Sequence, residues 1–523
     1  MTKPLAGIQW ALVLGIAPAL FGALSAPAQV SPETRARLLR EFEEKNRSKH
    51  TEKSTDSERP KADPNVGLEE LRGNLSKART RLLSDRSKEA KEDAARAALL
   101  YADSLLRLGR TEEAISVLTT TLAQGADEDR IIPFLVEART SVAEDALDNG
   151  EWEKARVALD KAWREARLSR DSDLVGACAR NLRDLMEDRA LELFRKGDLS
   201  GSKEKAIEAL SWRLEPEPIH LLLSRIAHLK DNHEEALAEI RAAARGAADR
   251  HALGAIRDII ERERDLERGY DRAELKGAIV LSPRGLAYDR QGLERALLSA
   301  RETAKRMFGF ETLLPVRLSL YQRNDFRVFT SAPTWAGAAS ILGKLRLRND
   351  LARGRIQDME VTIRYGFGLW MADIAAEGKA PAWLQEGIAH QLAYPLGPPN
   401  GGKGEIRKRL NNGSLPSFRS LEESFLGFPD MLEAATAMVQ SQWGMQFLVE
   451  KRGLGVILSL LVALREGLSP EQALREVAGF DYDALDREWS EGTLRGFTTN
   501  PDPDRSTLRS LGLISPMGSY WEQ

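Results

Sequence analysis

In the stretch KAPAWLQEGIAHQLA, residues 379–393, His390 follows Glu386 by four positions, so the two share one face of a helix. A carboxylate and an imidazole so placed offer a two-point metal site, with no third or fourth ligand in view. Amphipathic packing, or a Glu386–His390 contact within the helix, is the simpler account, since a lone histidine seldom ligates anything. Immediately upstream, EVTIRYGFGLWMADIAAEG (360–378) has helical character although Gly366 and Gly368 sit in its interior. Each glycine weakens a helix by around 1 kcal/mol relative to alanine. Further upstream, GAIVLS (277–282) and PVRLSLY (315–321) alternate like strands, LERALLSARETAKRMFG (293–309) between them has helical period, and ILGKLRLR (341–348) is a third strand. Everything after Met359 returns to helix. This order predicts an α+β domain over residues 276–499.

The N-terminal half reads differently. Between residues 68 and 249 apolar residues fall at i, i+3, i+4 and i+7 in paired helices, with breaks every 35 to 40 residues or so. LRLGRTEEAISVL (106–118), LDNGEWEKARVALDKAW (147–163) and LKDNHEEALAEIRAAA (229–244) are the clearest units, and FRKGDLSGSKEKAIEAL (194–210) is an expanded one. Small residues such as Ala102, Ala114, Ala143 and Ala155 stand where paired helices cross, and Gly109 and Gly150 stand where the first helix must end. The expectation is an N-terminal α-solenoid that lines a groove for a peptide or protein. His233-Glu234-Glu235-Ala236-Leu237 falls one histidine short of H-E-x-x-H; as the first turn of a repeat helix, its acidic residues favour the dipole.

Composition narrows the partners. The 523 residues carry a net charge of −3, which gives no basic field for nucleic acid or an anionic membrane. One cysteine and six histidines exclude a cysteine-based zinc site and a disulfide scaffold. Lys3, the apolar run Trp10–Leu24 and Ala26-Pro27-Ala28 spell a cleavable secretory signal over residues 1–28, with no cysteine after the site to take a lipid anchor. The mature chain is therefore expected in the periplasm or outside the cell, with no membrane anchor. Residues 29–67 form a charged tether, 250–275 (containing ERERDLERGYDR) a helical linker, and 500–523 a tail. Gly397-Pro-Pro-Asn-Gly-Gly402-Lys403-Gly404 lacks the Ser/Thr of a P-loop and follows a helix, so it is a loop.

Four segments together carry a resemblance. LPVRLSLYQRNDFRVFT (314–330), with a buried Phe326, PTWAGAASILGKLRL (333–347), KAPAWLQEGIAHQLA and the closing helices from Val439 to Trp489 resemble, in that order, the peptidase-MA-like domain of gluzincin metallopeptidases, and the repeats resemble the tetratricopeptide repeat. The resemblance implies zinc held by H-E-x-x-H and a third, glutamate ligand, and an edge strand that pairs with extended substrate. At the implied positions this chain has Tyr365 and Leu369 for the two histidines and Gly366 for the general base, with Met438 where a later tyrosine belongs; Glu386 matches the third ligand. The two accounts of Gly366 and Gly368 are drift and a close backbone approach filling the emptied zinc pocket. The resemblance thus implies a pseudopeptidase with no catalytic residues, no zinc and no other cofactor. Its remaining surface would be a peptide-binding edge strand at Lys344, Leu345 and Arg346, with Lys344, Arg346 and Arg348 on one face. The alternatives are an active hydrolase ligating metal through Glu386, His390 and Asp373, and a structural assembly factor.

Overall fold

The computed structural model describes residues 67–499 except 213–215, 247–249, 331, 333–335, 351–355, 396–401, 424, 426–427 and 429–430. The expected signal segment, tail and nearly all of the tether lie outside the described residues, as do Trp335 and most of the 397–404 loop. The described chain forms two compact units, one of residues up to 193 together with 200–219, the other of 194–199 together with everything from 220 onward.

The first unit is helical. Its helices α1 (Leu68–Ser84), α2 (Lys88–Arg107), α3 (Thr111–Ala123), α4 (Glu128–Asp148) and α5 (Trp152–Ala166) pack against their sequence neighbours, followed by α6 (Ser172–Lys196) and α7 (Leu199–Leu210). Ala90, Ala94, Ala98 and Ala102, four residues apart on α2, are fully buried against a core that includes Leu75, Leu82 and Leu118. Without bulk on that stripe the helix axes approach closely. Gly109 and Gly150 follow α2 and α4 at φ of +72° and +73°, the left-handed conformation that the sequence required of them. Cys178 is buried, which pushes its thiol up to about 12.

The second unit holds α8 (Glu217–Leu229), α9 (His233–Ala243), α10 (Arg250–Glu267) and a five-stranded mixed sheet. The strands are β1 (Asp271–Leu275), β2 (Ala278–Ser282), β3 (Val316–Tyr321), β4 (Ala338–Ile341) and β5 (Lys344–Arg348), in the order β1-β2-β3-β5-β4. β2, β3 and β5 run parallel, with α11 (Arg290–Phe308) crossing from β2 to β3 and α12 (Arg323–Thr330), with its buried Phe326, following β3. β1 and β4 are the antiparallel edges. Helices α13 (Ile356–Ala375), α14 (Ala382–Ala393), α15 (Gly402–Asn411), α16 (Met431–Arg452), α17 (Gly455–Arg465) and α18 (Tyr482–Thr499) complete the unit. Among the described residues no helix is long and apolar enough to cross a membrane.

Two expectations are corrected here. The strand carrying Lys344, Leu345 and Arg346 is not an edge: β5 lies between β3 and β4, and all three residues are buried. Its backbone donors and acceptors are committed on both sides, so it has none to offer an extended peptide. Nor are residues 250–275 a linker. Helix α10 lies on the charged face of the sheet, and 271–275 is strand β1.

The physical reason for both corrections is one carboxylate. Glu263 of α10 is fully buried and accepts from Lys344 Nζ (2.5 Å), Arg346 Nη2, His228 Nε2 (3.1 Å) and His233 Nε2 (3.3 Å). Burial pushes its acidity the other way, yet Lys344, His228 and Arg346 hold it well below the usual carboxylate range. Asp231, between α8 and α9, takes the other side of the cluster, accepting from Lys344 Nζ (2.9 Å) and Arg317 Nη1 (2.9 Å). Its backbone is held at φ +60°, a left-handed conformation that costs about 1 kcal/mol or more for a non-glycine residue. Glu267, one turn after Glu263, accepts from Ser319 Oγ and Tyr321 Oη, each at 2.6 Å.

Removing one partner from a buried ionic cluster strands the rest. Glu263→Gln is expected to cost the fold about 3–5 kcal/mol, because Arg346 would then lie in the interior without its counter-charge and Lys344 would keep only Asp231. Urea unfolding measures this; a change below about 1 kcal/mol would mean that the cluster is hydrated rather than buried.

Candidate functional site

Helices α13 and α14 carry the residues singled out in the sequence, and glycines set how closely these helices approach. A Cβ on Gly368 would stand 2.5 Å from Ala389 Cα, so α13 meets the backbone of α14 directly. A Cβ on Gly387 would stand 2.7 Å from the Ser441 carbonyl oxygen, which seats α14 on α16 in the same way. Gly366 faces the sheet, where a Cβ would lie 2.9 Å from Leu345 Cδ1 and 3.1 Å from Leu347 Cδ2. Of the two accounts of these helix glycines, drift and close approach, the geometry selects close approach. A glutamate side chain at position 366 would have to displace the two β5 leucines.

This packing brings Tyr365, Glu386 and His390 together. The Tyr365 phenol donates to Glu386 Oε2 at 2.7 Å, and its ring stands edge-on to the His390 imidazole, centroids 5.4 Å apart. The His390 ring in turn lies 5.9 Å from that of Tyr394. Leu369, on α13, and Met438, on α16, are both buried apolar residues. Asp373, weighed above as a metal ligand, instead accepts from Ser340 Oγ (2.6 Å) and Gly343 N (2.9 Å), holding the turn between β4 and β5. Tyr394 escaped the sequence reading, though its signal was there: it follows His390 by four residues, one further turn along the same face.

Electrostatically the site is starved of positive charge. Glu386 is 8% exposed, and burial pushes its carboxyl up to about 7, partly opposed by the Tyr365 hydrogen bond. Among the described residues Tyr365 is its one hydrogen-bond partner. Burial pushes His390 down to about 4, and its Nδ1 is enclosed without a partner. Burial, then the Glu386 carboxyl, holds the Tyr365 phenol well above its ordinary value. Between about pH 4 and 7 acid and imidazole are therefore both neutral, and they do not form an ion pair.

A second group has metal-like spacing. Ligand atoms of His233, Glu263 and Glu267 lie within 4.8 Å of one another. Lys344 and Arg346 already supply positive charge to Glu263, so the protein itself fills the place of a cation there. His233, read in the sequence as a helix-start residue, does begin α9, but its imidazole turns inward to Glu263.

Two measurements follow from this geometry. Gly368→Ala should destabilise the protein by about 1–3 kcal/mol despite its better helix propensity, because its Cβ meets backbone. Gly366→Ala meets first the movable ends of two leucine side chains and should come out within about 1 kcal/mol of neutral. Equal effects in thermal or urea unfolding would contradict the packing described. For Glu386, the folded state keeps its proton up to about pH 7 while the unfolded chain releases it near 4.5, so the fold loses stability as pH rises through that window. Glu386→Gln should remove this loss, raising stability at pH 8 relative to the native chain by on the order of 3 kcal/mol and changing little at pH 4. A pH-independent difference between the two proteins would refute the assignment.

No curated protein matches this chain. Residues 369–494, beginning four positions past Tyr365, match the Peptidase MA superfamily, and the chain thus carries a Peptidase MA-like domain.

Proposed function

We propose that this chain is an exported polypeptide-binding protein whose Peptidase MA-like domain is non-catalytic. The observation that carries this reading is the 2.7 Å hydrogen bond from Tyr365 to Glu386, which joins an implied histidine position directly to the implied third ligand. A catalytic zinc needs three protein ligands and an open position for the water it activates. The donor set here is one carboxyl and one imidazole, with leucines packed where the general base would project. These residues do not fit the metal.

The binding role rests on the paired helices of the first unit, whose alanine stripes and left-handed glycines support a tetratricopeptide-like array with a groove for polypeptide. Residues 1–28 support export to the periplasm or beyond. The near-neutral charge supports a protein partner over nucleic acid.

Elemental analysis of the purified protein, alongside hydrolysis of an unfolded protein substrate, tests the non-catalytic assignment. The expected result is zinc well below stoichiometry and no cleavage. About one zinc per chain that disappears in Glu386→Ala would overturn it.

A further inference from the structure

Four carboxylates in the second unit are buried and hydrogen-bonded by side chains of other elements; Glu267 accepts from Ser319 and Tyr321 one turn from Glu263 and its cations, and two others have cations of their own. Glu263 holds Lys344 and Arg346; Glu377 accepts from Arg195 Nε at 3.0 Å and Arg225 Nη1 at 3.3 Å. Glu386 has a neutral phenol. An interior carboxylate is stable in its charged form only beside a positive charge, and here the fold provides none.

What surrounds Glu386 is aromatic. Tyr365 and Tyr394 flank the His390 ring, and all three are only partly buried. Aromatic faces attract organic cations through their ring quadrupole, most strongly where water is partly excluded. The buried His390 Nδ1, lacking a partner, adds an acceptor. A carboxylate, an unused acceptor and aromatic rings together suit a primary ammonium, which needs a counter-charge and has three protons to donate.

We propose that Glu386, with Tyr365, His390 and Tyr394 around it, binds the ammonium group of a polypeptide, an N-terminal amine or a lysine side chain. This rests on the polypeptide-binding reading given above and assigns Glu386 a ligand chemistry of its own. The ammonium takes the place that the fold leaves without positive charge, and no covalent step is involved.

Calorimetric titration of the full chain with tetra-alanine amide, against the same peptide N-acetylated, tests it at pH 8. The free amine is expected to bind at least about tenfold more tightly than the acetylated form. Glu386→Gln, which keeps an acceptor for Tyr365, should abolish that preference. The two-peptide comparison on the native chain stands without any variant. Equal affinities would overturn the ammonium site while leaving polypeptide binding intact. No saturable binding of either peptide up to about 10 mM would also overturn it, since the repeats would then be the sole polypeptide surface. Glu386-dependent binding of zinc chloride that displaces the amine peptide would replace the ammonium with a metal and would sink the non-catalytic reading as well.

Discussion

A single buried carboxylate, Glu263, decides how the second unit is put together. Lys344 and Arg346 alternate with leucines along β5, and alternation of that kind normally marks a strand with one face in water. Here the charged face is sealed by α10, and the charges survive burial because Glu263 and Asp231 meet them from the helical side. Without that counter-charge, two cations in the interior would cost several kcal/mol each. Once it is in place, β5 can pair with β3 on one side and β4 on the other, and the edge of the sheet moves to β4.

The opposite face of the same strand governs the candidate site. Leu345 and Leu347 point to α13, where Gly366 admits them, and this contact fixes the level at which α13 crosses the sheet. With α13 fixed, Gly368 sets the position of α14, and α14 in turn delivers Glu386 to Tyr365. Charge on one side of β5 and leucine on the other are thus two ends of one arrangement. The ionic cluster holds the strand, and the strand holds the helix pair.

Much of this was legible in the residues. Alanines repeating every four positions and glycines after α2 and α4 announce close helix pairs, and they form them. The interior glycines of α13 signalled close approach, and the i, i+4 spacing placed Glu386 and His390 on one face. What misled was charge. ERERDLERGYDR looks solvated because charged residues are rarely buried unless paired, although helical spacing puts Glu263, unlike Glu261, on the stripe of Ile256, Ile259 and Ile260. Its partner Lys344 is 81 residues away in sequence, and a linear reading cannot pair them. The edge that the resemblance implied for β5 fails in the same way, since the strand's own pattern does not say which member of the β4–β5 pair meets β3.

Of the four buried carboxylates Glu267 is enclosed between α10 and the sheet by Ser319 and Tyr321, and the other three form a graded series. Glu377 sits at φ +51°, a strained backbone, yet two arginines hold it below the usual carboxylate range against the opposing effect of burial. Glu263 is held further down by its four nitrogen partners. Both are closed systems in which every strong donor is supplied from within the unit, so an outside ligand would have to break a bond before making one. Glu386 is open in the energetic sense: burial pushes its carboxyl up against only the Tyr365 hydrogen bond, that phenol is neutral, and the adjacent imidazole is itself uncharged at pH 7. Replacing a proton on Glu386 with a bound cation therefore breaks no ion pair within the protein. That asymmetry, more than the family position it occupies, sets Glu386 apart from Glu263 and Glu377.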